Sequence, residues 1–266
     1  MIQTLLSEKE ERGAATAAPY LSYSRINRYL HCPEQYRLYY IEKLRPRFPA
    51  ATLVFGQVIH AAIAEFFVEN GKPEKFFNGA WDEVSQIDLT YNQKESWDKL
   101  KAVGSGLLEK FREEYPKRIG RITGVEKRFE IRITTLTAPI IGYIDLLAEV
   151  GGKNTVLDFK TSASSYEEHE VTLSDQLTAY QLAEPAAEQT GLCVLVKTKE
   201  PKVEWYFSKR NGDQITEFLD KTGYVAREIH SRRFYKRPGK WCSWCDYLPV
   251  CVGDKQKVQE ALVRTR

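Results

Sequence analysis

From Gly124 to Ile133 the chain alternates: Val125, Phe129, Ile131 and Ile133, with Lys127 among them, fall on one side, and charged or polar residues on the other. A period of two predicts a half-buried strand. A further strand begins near Pro139 and leads into Tyr143–Val150, which is apolar and β-prone. Thr155–Thr161 alternates again, and Gly151-Gly152 between these two arms is a hairpin turn signal. With a two-residue turn, Val150 pairs with Lys153 and Asp145 falls opposite Asp158. With a four-residue loop over 151–154, Asp145 falls opposite Lys160. Either register gathers two carboxylates and an ammonium on one face, because strand side chains alternate. Val156 shares that face, while Leu157 and Phe159 point to the other.

The period elsewhere is that of helices. Ser22 or Ser24 can cap a helix through Arg25, Ile26, Tyr29 and Leu30, which Cys32-Pro33 breaks. Glu34–Leu44 reads as a second helix, whose tyrosines make either core or a stacking surface. Val54–Asn70 is a third, ended by Gly71, with Ile59, Ile63 and Phe66 or Phe67 as its apolar stripe and His60 beside it. Residues 73–118 look helical, with a polar middle near 91–94. Thr172 begins another helix, with Thr172 and Asp175 as a candidate capping box, and Gln176 and Tyr180 share a face of it. Pro185 ends it. Leu192–Val196 and Val203–Phe207 are strands, Cys193 among them as a buried thiol. Asn211 caps a helix from Gln214 to about His230.

Facing aspartates repel each other across a sheet. A divalent cation answers that repulsion, and carboxylate oxygens suit Mg2+ or Mn2+. The plainer reading is a solvated face carrying Asp and Lys. Of 266 residues, 42% are apolar, enough for a core, and the net charge of +3 gives no global basic field. Nucleic-acid affinity would have to come from local patches. No run of about 18 apolar residues predicts a membrane span. The N-terminus lacks a signal-peptide pattern, so a cytoplasmic, intracellular location is expected. No phosphate-binding GxxxxGK[ST] is present, which argues against an ATP motor in this chain.

Five cysteines include Cys242, Cys245 and Cys251 in the spacing CxxCxxxxxC, flanked by Trp241, Trp244 and Pro249. This is a compact metal knuckle one ligand short of four. Cys32 is the candidate fourth, and such a set can hold zinc or an iron–sulfur cluster.

Taken together, Ser22-x-Ser24…Cys32-Pro33, Gly56-x-x-x-His60, Gly142-x-x-Asp145, Asp158-Phe159-Lys160-Thr161, Gln176-x-x-x-Tyr180 and the closing cysteine trio resemble, in order, the PD-(D/E)XK nuclease superfamily. The likeness runs over roughly 21–252 and is to its RecB/AddB-like Fe–S exonucleases, including the CRISPR-associated ones. It implies an α/β (α+β) fold of the restriction-endonuclease-like kind: a central mixed sheet flanked by helices, with a helical insert and a C-terminal Fe–S knuckle. The expected layout is a flexible lead over 1–20 and one nuclease domain over 21–252. That domain divides into a helical part to 120, a catalytic core over 121–210, and a basic helix and knuckle over 211–252; a tail follows over 253–266.

The resemblance further implies a DNA exonuclease acting on single strands or duplex ends, in repair, recombination or the processing of foreign DNA. A helicase or a repair or CRISPR protein is the implied partner class. Asp145, Asp158, His60 and the Phe159 carbonyl would hold Mn2+ or Mg2+. Lys160 would serve the attacking water, with Gln176 and Tyr180 along the strand's path. Cys32, Cys242, Cys245 and Cys251 would bind a structural [4Fe-4S] cluster. Arg232, Arg233, Lys236 and Arg237, interleaved with aromatics, suit DNA contact. The alternatives are a catalytically silent nucleic-acid-binding module and a four-cysteine zinc protein.

Overall fold

A computed structural model describes residues 20–265. The lead expected over 1–20 therefore lies outside the described residues, apart from Tyr20. In chain order the first helices are α1 (Tyr23–His31) and α2 (Pro33–Tyr36), then a π-helical turn over Arg37–Ile41 and β1 (Leu44–Pro46). Three longer helices follow: α3 (Ala51–Glu69), α4 (Pro73–Val84) and α5 (Trp97–Glu114). The sheet begins with β2 (Ile119–Ile131), β3 (Ile140–Val150) and β4 (Lys153–Ser162). After α6 (Glu168–Thr172) and α7 (Asp175–Ala183) come β5 (Gln189–Val196), β6 (Lys202–Ser208) and α8 (Gly212–His230). A 3-10 turn over Lys240–Trp244, α9 (Leu248–Val252), α10 (Lys255–Ala261) and β7 (Leu262–Arg264) complete the chain.

The five strands lie side by side in sequence order, β2-β3-β4-β5-β6, with only the β4–β5 pair parallel. This is the mixed sheet flanked by helices that the resemblance implied. The helices cover both faces. α3, α4 and α5 pack on Leu146, Ala148, Leu157, Phe159, Cys193 and Leu195. α1, α7 and α8 pack on Ile144, Val156, Leu192, Val194 and Val196. The alternation along β4 thus has a direct reading: Leu157 and Phe159 bury on one side, Val156 on the other. Among the described residues α3 is long and apolar enough to cross a membrane, but its Val54, Phe55, Val58, Ile59 and Phe66 are core residues of this sheet.

Several element boundaries differ from the sequence reading. The second helix is one α-turn that widens into a π-turn. α3 starts three residues early and is ended by Asn70 in a left-handed conformation (φ 52°) rather than by Gly71, a role asparagine shares with glycine. Residues 73–118 divide at 85–96 into two helices, the second capped by Ser96. Thr172 does not start a helix. It closes α6, which a Glu167–Glu170 capping box opens, and Ser174 caps α7 instead. Thr172 and Ser174 are both cap formers two residues apart, so composition alone could not separate them.

The two ends of the described chain meet. β1 pairs antiparallel with β7, and Tyr247 donates a hydrogen bond from its hydroxyl to the Leu44 carbonyl (2.9 Å). Tyr29 donates to the Arg233 carbonyl (2.7 Å), and the Glu34 amide donates to the Tyr235 carbonyl (3.0 Å).

Candidate active site

The β3–β4 hairpin adopts the two-residue register. Val150 pairs with Lys153 and Leu146 with Leu157. Gly151 and Gly152 both take positive φ (59° and 77°), as a type I′ turn requires. The ladder then stops. The next facing pair would be Asp145 and Asp158, and there the strands part. The gap is bridged by side chains: Asp145 Oδ2 accepts from the Phe159 amide at 2.9 Å, and the Tyr180 hydroxyl reaches across to the Tyr143 carbonyl oxygen at 3.0 Å. An extended residue sends its N–H and C=O to the same side of its strand. The Phe159 carbonyl therefore points into this opened edge, away from β5. Its ring is fixed on the opposite face by Phe111 (edge-on, 5.6 Å) and Phe67 (stacked, 6.2 Å). The residue between the two charged side chains is thus a core anchor that sets the backbone between them.

Asp158 is about 1% exposed. Its Oδ1 accepts from Gln176 Nε2 (2.7 Å) and lies 2.9 Å from the Tyr180 hydroxyl. Its Oδ2 lies 2.7 Å from Lys160 Nζ, yet finds no donor in hydrogen-bonding geometry. Lys160 also donates to Gln176 Oε1 (2.8 Å). Gln176 therefore locks the carboxylate and the ammonium together, and the i, i+4 spacing on α7 brings Tyr180 beside it. Burial pushes the Asp158 carboxyl up, Lys160 opposes this, and Asp145 adds to the rise. Burial also pushes the Tyr180 phenol well up, helped by Asp158 and Asp145, so it remains a donor.

His60 comes from α3 on the other layer. Its Nδ1 lies 3.2 Å from Asp145 Oδ2 and is buried without a hydrogen-bond partner. One turn earlier Gly56 lies against Thr161 of β4. Gly142 has a different reason to be glycine. It pairs with Phe129 of β2, whose ring covers it; a Cβ there would stand 2.5 Å from the ring. The same ring meets Tyr180 edge-on at 5.9 Å. Glu126 falls within β2 between two residues that pair on either side of Asp145, and has a left-handed backbone (φ 48°).

Two site residues had no signal in the sequence. Tyr23 opens α1 and Tyr166 precedes α6. Burial raises both phenols, and the nearby Lys160 ammonium is the main force lowering them. Leu21 explains the position of Tyr23: its amide donates to the Pro139 carbonyl and its own carbonyl accepts from the Ile141 amide. This fastens the start of α1 beside the start of β3.

Asp158 Oδ2, met only by Lys160, the adjoining Asp145 and the His60 nitrogen are donors of the chemistry that suits a hard or borderline divalent cation. Among the described residues no three His, Cys, Asp or Glu side chains are placed so that they could hold a metal ion, in this site or among the cysteines.

The cysteines form a separate corner. All five are free thiols. Cys32 caps the end of α1, and Cys242, Cys245 and Cys251 sit on the 3-10 turn, just beyond it and on α9. Burial raises the Cys245 thiol, and Cys32 and Cys242 raise it further; Cys251 rises by burial and through Cys245 and Cys32. Cys193 is fully buried in β5, which pushes its thiol well up. The basic residues are partly engaged: Arg233 with Glu228, Lys236 with the Cys251 carbonyl, Arg237 with the Leu30 carbonyl. Arg232 takes a left-handed backbone (φ 54°).

A family model of the PD-(D/E)XK nuclease superfamily matches residues 20–252. No curated protein matches the chain. A crystal structure of a Eubacterium rectale protein, provisionally assigned as an exonuclease, superposes with a TM-score of 0.56 at 13% identity, covering 89% of this chain and 88% of that one. Another solved structure, of SSO0001, aligns over 94% and 95% of the two chains at 16% identity with a TM-score of 0.45.

Proposed function

Because the chain belongs to the PD-(D/E)XK nuclease superfamily, we propose that it is a metal-dependent deoxyribonuclease, an exonuclease acting on single-stranded DNA or duplex ends. The observation that carries this reading is Asp158, buried opposite Asp145 where the ladder opens, with one oxygen met only by the Lys160 ammonium. The provisional exonuclease assignment of the E. rectale protein, similar in fold, supports the same class.

Asp145, Asp158, His60 and the Phe159 carbonyl would hold Mn2+ or Mg2+. Such an ion, when bound, polarises the scissile phosphate and lowers the pKa of the attacking water. The protein's own part is orientation. Gln176 and Tyr180 occupy Asp158 Oδ1 and leave Oδ2 to Lys160. Lys160 is ion-paired with Asp158 and donates to Gln176, and its side chain keeps about 30% exposure. A remaining N–H is the one to meet a phosphate oxygen or to hold the water in line. Tyr23 and Tyr166 lie within electrostatic reach of the same ammonium.

For the cysteine corner we assign Cys32, Cys242, Cys245 and Cys251 to a structural [4Fe-4S] cluster. The support is the CxxCxxxxxC spacing and the nearness of Cys32 to the trio, whose Cys245 and Cys251 thiols both feel its charge. The test is anaerobic purification, iron, sulfide and zinc analysis, and Mn2+- and Mg2+-dependent assays on end-labelled single- and double-stranded DNA. Release of short products, lost in Asp158→Ala, is expected. Absence of cleavage with either metal overturns the nuclease reading, and zinc without sulfide overturns the cluster.

A further inference from the structure

Arg25 and Arg28 lie one turn apart on α1, half-buried, and among the described residues neither has a carboxylate within ion-pair distance. The only acids between residues 20 and 45 are Glu34 and Glu42, and both are taken by Arg37. Asp246 feels the Arg28 charge without forming a pair. The two guanidiniums are instead threaded through tyrosines. Arg25 lies 4.1 Å from the Tyr20 ring centre and 4.4 Å from that of Tyr40; Arg28 lies 3.4 Å from Tyr39 and 5.3 Å from Tyr40. On the far side of Tyr39, Arg45 stacks at 3.4 Å. Arg25 also donates to the Tyr36 hydroxyl (3.4 Å). Arg25 Nε and Arg28 NH1 are buried and meet no acceptor.

Guanidinium charge is permanent, and a half-buried cation without a counter-charge is costly. Aromatic stacking covers the planar faces but leaves N–H edges for a bidentate acceptor, the geometry phosphate offers. The position of α1 says where that phosphate would come from. Its first residue, Tyr23, stands beside Lys160, and its cap, Cys32, stands in the cysteine corner. Nine helical residues span roughly 14 Å between them.

We propose that this face of α1, with Tyr39 and Tyr40, is a track for one strand of DNA, its phosphates held by Arg25 and Arg28 as it passes between the catalytic gap and the cysteine corner. Two cations on one helix face serve one backbone, not both strands of a duplex. This rests on the nuclease reading. Arg25 and Arg28 are positioning residues.

The experiment is fluorescence anisotropy with a labelled oligodeoxythymidylate in EDTA, over a series of salt concentrations, for wild type, Arg25→Gln, Arg28→Gln and Asp158→Ala. Each glutamine variant should bind about tenfold more weakly. Each should also lower the slope of log affinity against log salt by about 0.7, the share of one single-strand phosphate contact. Asp158→Ala should bind as wild type does. Under cleavage conditions the arginine variants should raise KM and spare kcat. Since a variant could loosen α1, wild-type protein is also crosslinked to a 5-iododeoxyuridine oligonucleotide; adducts should map to Tyr39 or Tyr40. Unchanged affinity and slope in both variants, crosslinks confined to residues outside 20–45, or tighter binding of polyglutamate than of DNA to this face would each overturn the track while wild-type cleavage keeps the nuclease reading intact. Wild type that neither binds nor cuts DNA removes both.

Discussion

Gly142→Ala tests the packing behind the site without touching a polar group in it. The new Cβ would stand 2.5 and 2.7 Å from two atoms of the Phe129 ring, far inside contact distance, and Phe129 is only 8% exposed. The ring must move, and overpacking of this kind costs about 1–3 kcal/mol. Its edge-on contact with Tyr180 would weaken too, worth a further ~0.5–1.5 kcal/mol. In a chain of this size each kcal/mol lowers Tm by roughly 2–4 °C, so a fall of about 3–18 °C is expected. Tyr180 would then hold Asp158 less firmly, and kcat should drop with little change in KM. The decisive measurement is a double-mutant cycle in chemical denaturation with Phe129→Leu, whose shorter side chain leaves room for the Cβ. The double variant should recover about 1–3 kcal/mol relative to additivity. Additive losses, or a Gly142→Ala protein as stable as wild type, would refute the account of this glycine.

Asp158→Ala and Lys160→Ala should each abolish hydrolysis in Mn2+ and leave oligonucleotide binding and near-native circular dichroism; near wild-type cleavage in either places the site wrongly. His60→Ala should weaken Mn2+ binding, read by isothermal titration, and lower activity, with a stability change under about 1 kcal/mol because the buried stripe of α3 is untouched. Cys32→Ser should lose iron and sulfide and about 2–5 kcal/mol of stability, the range for removing a long-range covalent staple, whereas Cys193→Ser keeps the iron. Retention of a full cluster in Cys32→Ser means that the wrong fourth ligand was chosen.

The hairpin was readable because the period-two pattern placed Asp145, Asp158 and Lys160 on one face in either register and Gly151-Gly152 marked the turn. The pattern alone does not choose between the two registers, and the structure takes the shorter turn. That the ladder ends one pair short of the aspartates was not readable, since Phe159 and Asp145 look in sequence like ordinary strand residues. The Phe129–Gly142 contact joins two strands whose register depends on bulges in β2. Tyr23 reaches the site only through the backbone bonds of Leu21 to the edge of β3. In Glu34–Leu44 the aromatic residues gave no clue to their fates: Tyr36 is core, while Tyr39 and Tyr40 stack on arginines. Pairings between residues far apart carry no local period, and these details are all of that kind.

The meeting of the chain's two ends sets an order for its birth. Cys32 and β1 leave the ribosome about 210 residues before Cys242 and its neighbours, an interval of about 10–40 s at the usual ~5–20 residues per second. The five strands of the sheet are all synthesised within that interval. Synthesis therefore presents the gap in the β3–β4 ladder before the pieces that shut α1 against the knuckle exist. A chain that stops after β6 holds Asp145, Asp158, Lys160 and His60, and none of the contacts that close its ends.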